Sequence, residues 1–255
     1  MDLLIVGPAR SGTTMLANLL TSPPNRWVIV EPGITRGGMG EVVRREAGLF
    51  GWQYERIDWH EQESSQERFN RLLHERLKQL DRWGIKEVNM QGIGDLISTY
   101  RPRHIVISVR DIRACAISVR QKETLQGTIA GQATVPKTNE WLQRRLLDGA
   151  DTALRLVNEP PSGSKVTVVR YEDFVASADA RASLARTLDW PLEGDPSATL
   201  DLFGRSYEVE RHGRHIGTSS VSRWRDDAHE PELRAFADQV ALEGADYQRQ
   251  FGYVQ

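Results

Sequence analysis

The chain has little cysteine, little lysine and no long apolar run, and each shortage excludes something. A single cysteine, Cys115, in 255 residues rules out an intramolecular disulfide and suits a reducing compartment. It falls on the same predicted helix face as Ile112 and Ser118, so packing rather than thiol reactivity is expected of it. Only five of the 33 basic residues are lysine, at positions 78, 86, 122, 137 and 165. A GC-rich genome produces that bias, and arginine also supplies forked anion binders. The formal charge of -2 provides no global basic field, which disfavours a general nucleic-acid role. No apolar run approaches the roughly 18 residues needed to cross a bilayer. The first one, from Leu3, lacks a positive n-region and leads directly into a glycine-containing turn, so no secretory signal is expected and a cytoplasmic protein is.

What is present alternates regularly. Short apolar runs at 3–7, 26–30, 104–109 and 165–169 read as buried parallel strands, and "WGIKEV" at 83–88 as a weaker fifth. Helical patterns separate them. In 66–82 the residues Phe69, Leu72, Leu73, Leu77 and Leu80 form one stripe, and Ser64 with Glu67 suits a capping box. Asp111 is placed to cap a helix running to about 123, and further helices fit 139–158, 177–189 and 230–243. Residues 32–62 and 124–138 break the rhythm and read as irregular loops on the substrate side. The expected architecture is α/β: one domain over 1–255, three layers around a central parallel sheet, of the P-loop nucleotide-kinase kind.

The most informative stretch is "LLIVGPARSGTTMLANLL", residues 3–20, an apolar strand, a turn and a helix start. Gly7 and Gly12 have the spacing of G-x-x-x-x-G-K-[ST], but Thr13 stands where the lysine belongs. Backbone N–H groups around Gly12, the helix dipole, and the hydroxyls of Ser11, Thr13 and Thr14 still cradle an anion. Arg10 supplies a planar fork suited to an ester or anhydride oxygen. Such a loop suits a phosphate-bearing donor whose transferred group is not the γ-phosphoryl of Mg-ATP.

A second junction, "HIVISVRDIRACAISVRQ", places Arg110 at a strand's carboxyl end and Ser118 in the following helix. Ligands collect at that end of an open parallel sheet, so the pair suits a second anionic group. A Walker-B-like reading, with Asp111 on Mg²⁺, is disfavoured because Arg110 would compete with the metal.

Four segments together resemble the sulfotransferases that use 3′-phosphoadenosine 5′-phosphosulfate (PAPS). "GPARSGTTML" is similar to their 5′-phosphosulfate loop and "VRDIRACAIS" to their 3′-phosphate motif. "VVRYEDF" is similar to their Tyr-Glu-Asp strand end, and "SSVSRWR" to their Trp-containing C-terminal loop. All four occur in the family's order, over residues 7 to 225. The resemblance implies PAPS as donor and PAP as product, a hydroxyl-bearing acceptor, and no required metal. By position it implies that Arg10, Ser11, Gly12, Thr13 and Thr14 hold the 5′-phosphosulfate. Arg110 and Ser118 would hold the 3′-phosphate, assisted by Ser219, Ser220 and Arg223. Tyr171 would meet the adenine, and Trp224 would support the loop. The chain departs from the cytosolic pattern at "GTS", where an Arg-Lys-Gly run stands in those relatives.

Attack by a hydroxyl on sulfur needs positioning, a base, and cations on the leaving phosphate. Arg10 serves the leaving group. Glu31, ending "RWVIVEP", resembles the strand-end glutamate of glycan and tyrosine sulfotransferases. Glu87 is the other candidate base, in "WGIKEV", where cytosolic relatives carry a histidine at the position of Val88. Lys86 adds charge near the transferring group, and His212 and His215 offer further acid–base chemistry. The competing class is a kinase or NTPase with a degenerate Walker A loop, and a non-catalytic PAP binder is a third reading.

Overall fold

The structure is a computed structural model that describes residues 1–34, 41–52, 64–129, 137–198, 216–218, 220–221, 224–225 and 230–253. Among these, five strands form one sheet: β1 (Leu3–Val6), β2 (Arg26–Val30), β3 (Arg82–Lys86), β4 (His104–Val109) and β5 (Lys165–Arg170). Their order is β2-β3-β1-β4-β5, and every neighbouring pair is parallel. The helices are α1 (Thr13–Leu20), α2 (Glu41–Gly48), α3, α4 (Ile93–Tyr100), α5 (Ile112–Ile129), α6 (Asn139–Asn158), α7 (Tyr171–Ala176), α8 (Ala178–Leu188), α9 (Pro231–Glu243) and α10 (Ala245–Gln250). Helix α3 joins Ser65–Phe69 and Glu75–Leu77 through a π-helical Asn70–His74.

The β1 sequence LLIV has no polar face because both of its faces are covered. Leu4 and Val6 join a core with Ile107, Cys115, Leu146 and Tyr247. Leu3 and Ile5 join a second with Leu16, Val28, Phe174 and Leu188. Those two cores are the interfaces of the expected three-layer α/β arrangement. β5 closes one edge and is correspondingly less buried, with Val168 exposed.

Local signals account for many boundaries. Ser64 and Glu67 form the expected capping box, Glu67 N–H donating to Ser64 Oγ at 3.2 Å and Ser64 N–H to Glu67 Oε2 at 2.8 Å. Thr138 caps α6, which spans the expected 139–158. Three expectations are corrected. The helix foreseen over 66–82 ends at Leu77, because Asp81 N–H donates to Asn25 O and Arg82 pairs with Arg26 in the sheet. The segment 32–62 contains α2, a helix, and the loop expected to begin at 124 is still helical in α5 to Ile129. No helix among the described residues is long and apolar enough to cross a membrane.

Candidate active site

The turn after β1 is built by two glycines. A Cβ on Gly7 would lie 2.2 Å from Ser108 O, so only glycine lets the turn pass β4 this closely. Gly12 has φ +93°, and a Cβ there would lie 2.5 Å from the Tyr171 ring. Arg10 also takes a left-handed conformation, φ 72°, which a non-glycine residue adopts at a cost. Helix α1 starts directly behind this turn with no side-chain cap, leaving its positive end for an anion. Ser108 Oγ donates to Ser11 O at 2.6 Å and fixes the loop to β4. Ser11 Oγ is buried without a hydrogen-bond partner.

The second expected anion group abuts the first. Arg10 Nε donates to Ser118 Oγ at 3.1 Å. Arg110 donates from one terminal nitrogen to Arg10 O at 3.1 Å and from the other to Ser220 O at 2.6 Å. Its guanidinium lies 4.4 Å from the centre of the Tyr171 ring, and the Tyr171 hydroxyl shares a hydrogen bond with Ser220 Oγ. Arg110 Nε is buried and without a partner. The backbone of Arg110 is clamped by Tyr247, whose hydroxyl accepts from Arg110 N–H and donates to Arg110 O, both at 3.0 Å. Burial keeps that phenol protonated by raising its pKa well above the ordinary range. The sequence reading missed Tyr247, and no local motif marks it. Burial likewise pushes the Cys115 thiol up to about 12, matching the packing role expected of it.

Asp111 faces inward to structure. Its Oδ1 accepts from Arg113 N–H at 3.0 Å and from Gln248 at 3.1 Å, while Arg113 also chelates the carboxylate through its guanidinium. The same guanidinium lies 4.6 Å from the Trp224 ring centre. Trp224, Arg170 and Tyr253 line a cavity of about 890 Å³ beside the strand end. Ser219, Arg223, His212 and His215 lie outside the described residues. Thr13 is buried, whereas Thr14 is half-buried at the start of α1.

On the other side of β1 stand the acid–base candidates. Lys86 ends β3 and is paired in register with Ile5 on one side and Val30 on the other. Its ammonium forms an ion pair with the Glu31 carboxylate. The lysine side chain is 2 % exposed and the glutamate 32 %, so the carboxylate alone is open to a substrate. Glu31 has φ 49° and its N–H donates to Lys86 O at 2.8 Å, which holds a strained backbone in place. Glu87 is used differently. It is buried, and its Oε1 accepts from Val88 N–H at 2.9 Å and Asn89 N–H at 2.8 Å.

A buried acid not singled out from the sequence, Glu46 of α2, lies next to this pair. Its Oε2 accepts from Trp27 Nε1–H and Val30 N–H, each at 3.2 Å. Burial raises its pKa to about 8, opposed by those two donors and by Lys86. Among the described residues no group of three or more His, Cys, Asp or Glu side chains is arranged to hold a metal ion.

Residues 2–193 match the model of the Sulfotransferase family. Solved sulfotransferase structures share the fold. A sulfotransferase domain from the curacin biosynthetic pathway superposes with a TM-score of 0.57 at 13 % identity, covering 95 % of this chain and 96 % of that one. The sulfotransferase STF9 from Mycobacterium avium gives a TM-score of 0.55 at 12 % identity, covering 98 % and 76 %. No curated protein matches the chain in sequence.

Proposed function

Because the chain belongs to the sulfotransferase family, we propose that it moves a sulfuryl group from PAPS to a hydroxyl acceptor. The observation that carries the donor assignment is a pair of buried polar atoms without partners, Ser11 Oγ and Arg110 Nε. An unsatisfied buried polar group costs about 1–3 kcal/mol. One such atom lies in each of two adjoining anion subsites, which suits a ligand with a 5′ group and a 3′-phosphate. Asp111 offers little to a competing Mg-nucleotide reading, since its carboxylate is already shared by Arg113 and Gln248.

Bound there, PAPS would supply the activated sulfuryl group. Arg10, Ser11, Gly12, Thr13 and Thr14 hold its 5′ end, with the first-turn N–H groups of α1 behind them. Arg110, Ser118 and Ser220 hold the 3′-phosphate, Tyr171 meets the adenine, and Trp224 supports the neighbouring segment. Arg10 neutralises charge on the leaving phosphate. Glu31 accepts the acceptor's hydroxyl proton, and Lys86 orients that carboxylate and adds positive charge at the transfer point. Glu87 serves the backbone turn after β3, because both N–H groups of that turn already use its carboxylate.

A thermal-shift comparison tests the donor. PAP without Mg²⁺ should stabilise the protein clearly more than 5′-AMP or Mg-ATP. Equal shifts from PAP and AMP would remove the 3′-phosphate role of Arg110 and Ser118. Preference for Mg-ATP would favour a kinase or NTPase instead.

A further inference from the structure

β2 is an edge strand, and the N–H groups along its outer side need partners other than another strand. Two side chains supply them. Thr21 Oγ1 accepts from Val28 N–H at 3.0 Å, and Glu46 Oε2 accepts from Val30 N–H at 3.2 Å. The first is an ordinary edge cover. The second is unusual, since Glu46 is 1 % exposed and its Oε1 has no hydrogen-bond partner. Capping one backbone N–H and one indole N–H needs only an amide, which would not carry the burial cost of an ionisable group.

The location suggests what the carboxyl adds. Val30, which it caps, is followed at once by Glu31, whose φ of 49° has to be held. Val30 is also the register partner of Lys86. Glu31, directly after β2, and Lys86 on β3 act electrostatically on Glu46, and β2 is the strand packed against α2. Arg45, its neighbour on α2, is exposed. Glu46 therefore touches the strand end that carries the candidate base and lies in the field of its ion-pair partner.

We propose that Glu46 is a positioning residue for the transfer step: through Val30 N–H it fixes the end of β2 directly behind Glu31 and its ion pair with Lys86. The inference rests on the sulfotransferase reading, because it needs Glu31 to act as the base. Its consequence is a dependence on pH. When Glu46 loses its proton, a second carboxylate stands in the field of one buried ammonium, and the Lys86–Glu31 pair is no longer exclusive. Burial places that loss near pH 8.

The test compares wild type with E46A and E46Q in three measurements. The first is conversion of PAPS to PAP between about pH 6 and 10, with a mixed set of phenol, alcohol and sugar acceptors. E46A should be slowed roughly ten- to a hundredfold at every pH, as expected for a displaced base. E46Q should rescue that loss and should lack the decline that wild type shows as the pH passes about 8. The second is the infrared difference between wild type and E46Q at neutral pH, which should contain the carbonyl band of a protonated carboxylic acid. The third is the thermal shift given by PAP, which should be the same in all three proteins.

A missing carboxylic-acid band overturns the proposal, as does a shared pH profile for wild type and E46Q, or E46A turning over like wild type. PAP binding by all three with PAPS cleavage by none of them also overturns it, since Glu31 then has no transfer to serve. If PAP stabilises none of them, the donor reading has failed instead, and the infrared result still decides the protonation of Glu46.

Discussion

Arg10 Nε donates to Ser118 Oγ at 3.1 Å, linking two residues 108 positions apart in the chain. The cation assigned to one anion subsite thus touches the hydroxyl assigned to the other. Arg110 completes the link through Arg10 O and Ser220 O. The two subsites form one contiguous network whose open valences, Ser11 Oγ and Arg110 Nε, are buried.

Arg110→Ala should therefore act in two ways. PAP affinity should fall by about 1.5–3 kcal/mol, the scale of a hydrogen bond to a charged group. The ligand-free protein should also melt earlier, because the carbonyls of Arg10 and Ser220 lose a donor. Calorimetric titration with PAP and a thermal melt separate the two effects. Unchanged PAP affinity in a folded variant would remove Arg110 from the site. Arg110→Lys should restore little of the affinity, because an ammonium does not reproduce the fork that spans both carbonyls.

Much of this network was legible in the sequence, because strand, turn and helix start are local patterns. The β1–α1 junction, the Arg110–Ser118 spacing and the box of Ser64 and Glu67 are each written within a short stretch. The choice between Glu31 and Glu87 was not. Both end apolar strands, and only the fold shows one carboxylate facing solvent and the other accepting from Val88 and Asn89. Tyr247 and Glu46 were invisible for a related reason. Each acts on a backbone group far away in sequence, Arg110 and Val30, and nothing in "GADYQRQ" or "VVRREAG" records that. The π-helical Asn70–His74 likewise lies within an ordinary apolar stripe.

Glu31→Gln should lower turnover roughly 10²–10⁴-fold while PAP affinity stays near wild type. The amide keeps the shape and a bond to Lys86 but takes no proton. Glu87→Gln should be far milder in turnover, since its carbonyl oxygen still accepts from the two backbone N–H groups. Steady-state kinetics with PAPS and an acceptor, beside PAP titrations, give the ranking. The reverse order would transfer the base to Glu87.

Glu46 should make stability depend on pH in a definite direction. Its pKa is raised on folding from 4.5 to about 8, so the folded state binds the proton more tightly than the unfolded chain. The resulting stabilisation is full below 4.5 and is lost as the pH rises through about 8. Glu46→Gln has no proton to lose. Its unfolding free energy relative to wild type should rise steadily between about pH 5 and 8, by an amount on the order of a few kcal/mol, read from thermal melts across that range. A constant difference across that range would mean that Glu46 ionises normally in the fold.

The last prediction concerns the turn itself. Gly12→Ala meets two obstacles, a φ of +93° and a Cβ position 2.5 Å from the Tyr171 ring. A left-handed alanine costs about 1–2 kcal/mol by itself, and the clash adds to it. The Arg110 guanidinium lies 4.4 Å from the centre of the same ring, so moving the ring disturbs that contact. The variant should lose both stability and PAP binding. Gly94→Ala, on α4 with open space around its Cβ position, is the matched control. It should leave PAP binding intact and change stability by no more than about 1 kcal/mol, in the direction of helix propensity. Thermal melts with and without PAP distinguish them. Intact PAP binding in Gly12→Ala would show that the turn and Tyr171 can separate without loss, and that the ring is not part of the binding surface.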